Sequence, residues 1–150
     1  MTAVVLAVDL GLRGGLAAFD DDGGLLWYRS TNFGSRGRLR RAVTGVLDKL
    51  PDLQLVALEG DRTLGEVWER AAVKRGAEVV WVNAETWRET LLTPSQRRSG
   101  SDAKRAADTV ARQIIRKSSA PNPTSLRHDA AEAVLIGVWA CRQRRGEPEN

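Results

Sequence analysis

Cysteine and histidine are nearly absent from this 150-residue chain, which has one of each, Cys141 and His128. A single cysteine excludes an internal disulfide and any cysteine-based zinc site. Cys141 lies in an apolar helical pattern and reads as a small core residue. A single histidine excludes a histidine-rich metal site, so any metal here would be held mainly by oxygen, which selects magnesium or manganese. Long apolar runs are also missing, and no stretch approaches the roughly 18 residues of a membrane span. No charged-then-apolar leader precedes the first apolar stretch. The expectation is a soluble, cytoplasmic protein with no membrane partner. Acids are missing too between Gly23 and Leu47, a stretch that carries Arg29, Arg36, Arg38, Arg40 and Arg41.

What is present is enough apolar material, 42% of residues, for one ordinary core, and a net charge of +4 carried mostly by arginine. A second basic cluster runs through Arg97, Arg98, Lys104, Arg105, Arg112, Arg116 and Lys117. Such clusters are often only solvated faces. Beside an acidic centre they would suit a nucleic-acid groove, because arginine matches phosphate geometry.

Val4 to Val8 reads as a strand buried on both faces, ending in Asp9-Leu10-Gly11. An unpaired buried carboxylate is costly, so Asp9 belongs at an open strand end. Alone, it equally suits the start of a turn. Gly14–Phe19 and Leu25–Thr31 predict two further strands around Asp20-Asp21-Asp22-Gly23-Gly24, a hairpin turn whose acids read as solvated. Arg38 to Leu50 has helical spacing and stops at Pro51. Leu53–Leu58 is again an apolar strand, and again an acid and a glycine follow it, Glu59-Gly60. A helix with Leu64, Val67, Trp68, Ala71 and Ala72 on one stripe ends at Gly76. Glu78–Val82 predicts a fifth strand.

The crossover through a helix makes Leu53–Leu58 parallel to the first strand. If the two are neighbours, Asp9 and Glu59 leave the sheet side by side, at the edge where α/β sites form. A short helix is expected near Asn83–Leu92, a mobile loop at Thr93–Ser101, and a helix capped by Ser101 or Asp102. The last helix runs from about Arg127, with residues 142–150 as a frayed tail of a single 1–150 domain. It opens His128-Asp129-Ala130-Ala131-Glu132, placing Asp129 and Glu132 three apart on one face. Acids at a helix N-terminus are favourable in themselves, which is a sufficient structural explanation of that pair.

Taken together, Ala7-Val8-Asp9-Leu10-Gly11, Ala57-Leu58-Glu59-Gly60 and His128-Asp129-Ala130-Ala131-Glu132-Ala133 resemble the RNase H-like (retroviral-integrase-like) nuclease superfamily. More narrowly they resemble RuvC-type Holliday-junction resolvases, over roughly residues 3–141. Val82–Leu91, followed by Lys104, is similar to phage-type members. The resemblance implies an α/β fold with an RNase H-like mixed five-stranded sheet, three strands antiparallel and two parallel, flanked by helices. It implies two magnesium (or manganese) ions held by Asp9, Glu59, Asp129 and Glu132, with His128 an alternative ligand to Asp129. Lys104 corresponds to a family lysine near the scissile phosphate, and equally suits a solvent-facing helical position. Arg36, Arg38, Arg40, Arg41, Arg62, Arg97, Arg98, Lys104 and Arg105 are candidate DNA contacts. Arg62 stands where relatives carry an aromatic residue three after the second acid.

The implied activity is structure-selective cleavage of four-way DNA junctions by paired symmetric nicks. Two nicks imply a homodimer, with Leu64, Val67, Trp68 and Ala71 as the candidate interface or simply core. Trp68 and Trp87 read as core or interface residues rather than base platforms. Asp9-Leu10-Gly11-Leu12-Arg13 is also similar to small pre-rRNA-processing nucleases, so a single-cut nuclease acting on RNA is the nearest alternative. A non-cleaving binder of structured nucleic acid is another. A sugar-kinase or actin-like ATPase would need a second, duplicated domain.

Overall fold

The computed structural model describes residues 1–147. Five strands, β1 (Val5–Asp9), β2 (Arg13–Phe19), β3 (Leu25–Asn32), β4 (Leu55–Glu59) and β5 (Glu78–Trp81), form one sheet in the order β3-β2-β1-β4-β5. The first three are antiparallel, and β4 and β5 run parallel to β1. The helices are α1 (Arg36–Asp48), α2 (Arg62–Lys74), α3 (Ala84–Leu91), α4 (Gly100–Lys117) and α5 (His128–Arg144). This is the mixed sheet and helix arrangement expected from the sequence.

The sheet separates two cores, and the period-two alternation of strands assigns residues to each. Val5 and Ala7 of β1 and Ala57 of β4 face a cluster built with α3, α4 and α5, including Trp87, Ala107, Ala111, Val134 and Leu135. Leu6, Val8, Val56 and Leu58 face the other side, with Leu39 and Val43 of α1 and Leu64 and Trp68 of α2. Extending the alternation by one step puts Asp9 and Glu59 on the α5 side.

Small residues let α5 lie close against the sheet. A Cβ at Gly15 of β2 would stand 2.1 Å from the Asp129 carbonyl oxygen, and one at Gly137 would stand 1.9 Å from the Phe19 ring. The helix is buried almost all round from Ala130 to Gly137, because the sheet covers one side and α4 another.

Several local expectations are corrected. Asp20 is buried, not solvated: its carboxylate accepts from the backbone N–H groups of Asp22 and Gly24, both at 2.9 Å, and so builds the hairpin turn. The supposed loop after Leu92 contains a 3₁₀ turn, Pro94–Arg97, closed by a capping box between Thr93 and Gln96. Ser99, not Ser101 or Asp102, caps α4. The described part of the expected frayed tail is held: α5 continues to Arg144, which pairs with Asp21 at 3.0 Å, and Arg145 donates to the Asp22 carbonyl at 2.6 Å. The remainder, 148–150, lies outside the described residues. Among the described residues no helix is long and apolar enough to cross a membrane.

Candidate active site

The parallel register pairs Asp9 directly with Glu59, and the Leu10 N–H donates to the Glu59 carbonyl at 2.8 Å. Both carboxylates therefore leave adjacent strands at the same edge. The close approach of α5 to Gly15, itself the partner of Asp9 on the other side, brings in Glu132. Asp9, Glu59 and Glu132 each present a carboxylate oxygen, all within 4.8 Å of one another. Three acids from three distant parts of the chain meet at one point. Asp129 lies in the first turn of α5, three residues before Glu132, and its charge acts on Asp9, but it is outside that compact trio.

Burial pushes the Asp9 carboxyl up to about 9, with further pressure from the charges of Glu132, Glu59 and Asp129 and a hydrogen bond with Glu59. Glu59 is also raised, first by burial and then by Glu132, while its hydrogen bond to Asp9 and the nearby Arg88 pull the other way. In the absence of a cation this pair shares a proton, since like charges so close disfavour joint ionisation. A half-buried, all-oxygen acceptor set of this kind fits a hard divalent cation.

Arg88 on α3 escaped the sequence reading. Its guanidinium lies 3.4 Å from Glu132, and its buried Nε has no hydrogen-bond partner among the described residues. The only local signal is an arginine directly after the fully buried Trp87, which fixes where α3 packs. His128 Nε2, one turn back on α5, lies 2.8 Å from Glu132 Oε1, the same oxygen that Arg88 approaches. Removing Arg88 charge with little change of volume, as in Arg88→Met, leaves Glu132 short of a cation. We expect the metal-free melting temperature to fall by an amount equivalent to about 1–2 kcal/mol. The rise on adding Mg²⁺ should exceed that of the wild type, because a bound cation restores the balance; thermal melts with and without Mg²⁺ check both.

The candidate DNA contacts are dispersed. Arg97 and Arg98 line a pocket of about 330 Å³ together with Arg88, Glu85, Glu89 and Ala103, so they neighbour the arginine that touches the acidic centre. Lys104 is exposed near the start of α4, and among the described residues no contact joins it to the acids. Arg105 is paired with Asp102 at 2.8 Å. Arg36, Arg38, Arg40 and Arg41 are exposed on α1, over the opposite face of the sheet from α5. Arg36 and Arg40 line a groove of about 860 Å³ with Arg70 and Lys74 of α2 and Arg75 just after it. That groove is larger than the pocket beside Arg88, but none of Asp9, Glu59, Asp129 and Glu132 lines it. Arg62 stacks over the Trp81 ring, 4.2 Å from its centroid.

In comparison with solved structures, the chain is similar to RuvC of T. thermophilus in complex with a Holliday junction substrate. The TM-score is 0.67 over 98% of this chain and 98% of that one, at 20% identity. The fold is that of RuvC. No family model and no curated relative matches by sequence. The RuvC likeness thus rests on architecture, and the RNase H-like sheet implied by the sequence motifs is the one observed.

Proposed function

We propose that the protein is a metal-dependent endodeoxyribonuclease that resolves four-way DNA junctions by paired symmetric nicks. The observation that carries this reading is the meeting of Asp9, Glu59 and Glu132 at one edge of a RuvC-like fold. These three would hold divalent cations, magnesium or manganese, with Asp129 completing the set and Asp9, central to the group, shared between ions. Bound divalent cations supply activation of water and charge stabilisation in an in-line phosphoryl displacement. Glu132 is oriented by Arg88 and His128, which hold its carboxylate from α3 and from one turn back on α5. Arg97 and Arg98 extend positive charge from Arg88 along a path for the scissile strand, and Lys104 and Arg105 lie one and two residues beyond Ala103 of that wall.

Paired nicks require two such sites, hence a two-fold dimer. The α2 stripe considered for its interface is divided: Leu64 and Trp68 are buried in the core, whereas Val67 and Ala71 remain half-buried beside the basic groove. Only the latter two are available to a partner.

The substrate is tested by incubating the protein with a four-way junction, its arms as plain duplex, and RNA, with and without Mg²⁺. Symmetric nicks in the junction alone, and only with Mg²⁺, are expected. Cleavage of RNA with the junction left intact would overturn the reading in favour of an RNA-processing nuclease.

A further inference from the structure

The α1–α2 groove of about 860 Å³ takes no part in the chemistry described above, yet five cations line it. Arg36 and Arg40 stand one turn apart on its α1 wall. Arg70 and Lys74 stand one turn apart on its α2 wall, with Arg75 just beyond. Arg75 is satisfied by Asp48 at 2.7 Å. The other four are exposed, and among the described residues their side chains have neither an ion pair nor a hydrogen-bond acceptor. Against them the lining sets a single acid, Glu66. Like charges facing each other across a groove repel, and a bound anion relieves that repulsion. The groove also has a direction. β3 ends at Asn32, which pairs with Arg13 just past the row of Asp9 and Gly15, and α1 starts four residues later. β4 ends at Glu59, and Asp61 caps α2. Both helices therefore start at the sheet edge where the acids meet. They run back over the face opposite α5 for about 20 Å, at about 1.5 Å per residue.

What the groove lacks narrows its ligand. No aromatic side chain lines it, so it offers no platform for an unpaired base. Its apolar floor belongs to the core: Val43 and Leu64 are buried, and only Val67 and Ala71 are half-buried, which leaves little for an amphipathic helix to cover. A second copy of this chain is disfavoured there, because across a two-fold axis the same cations would face each other. What remains is a track of four unpaired cations with the exposed Thr63 at its opening, and that suits backbone phosphates. We propose that the α1–α2 groove is a second phosphate-binding track, which grips the backbone of a duplex arm as it leaves the cleavage edge and crosses the back of the sheet. This rests on the junction-cleaving reading above and adds to it a surface for an arm, apart from the acids.

The test measures binding of a four-way junction in EDTA, so that no strand is cut, by the full chain and by a double variant, Arg40→Gln with Arg70→Gln. One charge is thereby removed from each wall. The double variant should bind about tenfold more weakly, with a salt dependence shallower by about two counterions. To place the contact, a short patch of neutral methylphosphonate linkages is moved outward along the arms. At one patch, clear of the branch point, the wild type should lose about tenfold and the double variant nothing more. Arg36→Gln with Lys74→Gln should behave likewise. An unchanged or raised melting temperature shows that these exposed variants are folded, and their cleavage rate at saturating protein in Mg²⁺ should match the wild type. Affinity and salt dependence equal to the wild type, or losses that multiply at every patch, overturn the track. So does a double variant that keeps its grip on DNA but no longer binds poly-glutamate, which would assign the groove to an acidic protein segment. A wild type that shows the binding pattern yet never cuts the junction in Mg²⁺ strikes the nuclease reading and leaves the track established.

Discussion

On the proposed metal-dependent reading, Asp9→Asn should abolish strand cleavage and at the same time raise the melting temperature of the metal-free protein. The loss of activity is expected because Asp9 is paired with Glu59 on the neighbouring strand and meets Glu132 in the compact trio proposed to hold divalent cations. A reduction of about 10³-fold or more, equivalent to about 4 kcal/mol of transition-state stabilisation, is expected. The gain in stability follows from linkage. The Asp9 carboxyl ionises near 9 in the folded protein against an ordinary value of 3.8, chiefly because it is buried and then because Glu132, Glu59 and Asp129 surround it. Between those two values the folded state keeps a proton that the unfolded chain has released, so stability falls as pH rises through this window, and the loss is complete above about 9. Asparagine cannot ionise and can donate its amide to Glu59. At pH 7.5 the substitution should add on the order of 2–4 kcal/mol, and its thermal stability should vary less between pH 5 and 9 than that of the wild type. Melting curves in EDTA across that range, beside a cleavage assay in Mg²⁺, check both halves. A variant that is inactive because it is unfolded would show the opposite change in melting temperature.

Gly15→Ala should be among the most damaging single substitutions outside the acids. Gly15 pairs with Asp9 on one side and Ser30 on the other, and its bare Cα faces the backbone of α5. A methyl group there would meet the Asp129 carbonyl oxygen at 2.1 Å, its carbon at 2.4 Å and the Ala130 nitrogen at 2.8 Å. These are backbone atoms and cannot swing aside, so the first turn of α5 must lift away. Overpacking of this kind costs about 3 kcal/mol, or about 6–12 °C for a domain of this size. The same displacement carries Asp129 and Glu132 off Asp9, and a misplacement of about 1 Å is enough to cost on the order of 10²-fold in rate. Gly37→Ala on α1 provides the contrast, because nothing lies within 4 Å of a Cβ at that position. It should leave cleavage intact and stabilise slightly, by about 0.5–1 kcal/mol, through helix propensity.

The acidic centre was legible because its parts obey local rules. An apolar strand followed by an acid and a glycine occurs at Asp9 and at Glu59, and the crossover rule makes those strands parallel, so a one-dimensional repeat becomes a pair of neighbours. The alanine-rich opening of α5 announces a surface that packs flat. What was not legible depends on distance in the chain. Arg88 reaches Glu132 across 44 residues, and nothing in the α3 sequence says which way its arginine turns. The α2 stripe shows that one face is apolar, but the division between buried Trp68 and half-buried Val67 depends on where the sheet stops beneath it. Other features do have a local signal. Thr93-Pro94-Ser95-Gln96 carries the spacing of a capping box, which closes the 3₁₀ turn. The burial of Asp20 follows from a common turn in which an aspartate binds the backbone ahead of it.

The central claim is that Asp9, Glu59 and Glu132 form a binding site for divalent cations whose occupation ionises Asp9. It is tested most directly by calorimetric titration of the metal-free protein with Mn²⁺ at pH 7.5, in two buffers of different ionisation enthalpy. Because the Asp9 carboxyl holds its proton up to about 9 without metal, binding should release about one proton per site. Asp9→Asn should lose both most of the affinity and the proton release. Absence of Mn²⁺ binding to the wild type, or binding that Asp9→Asn leaves unchanged, would contradict the account.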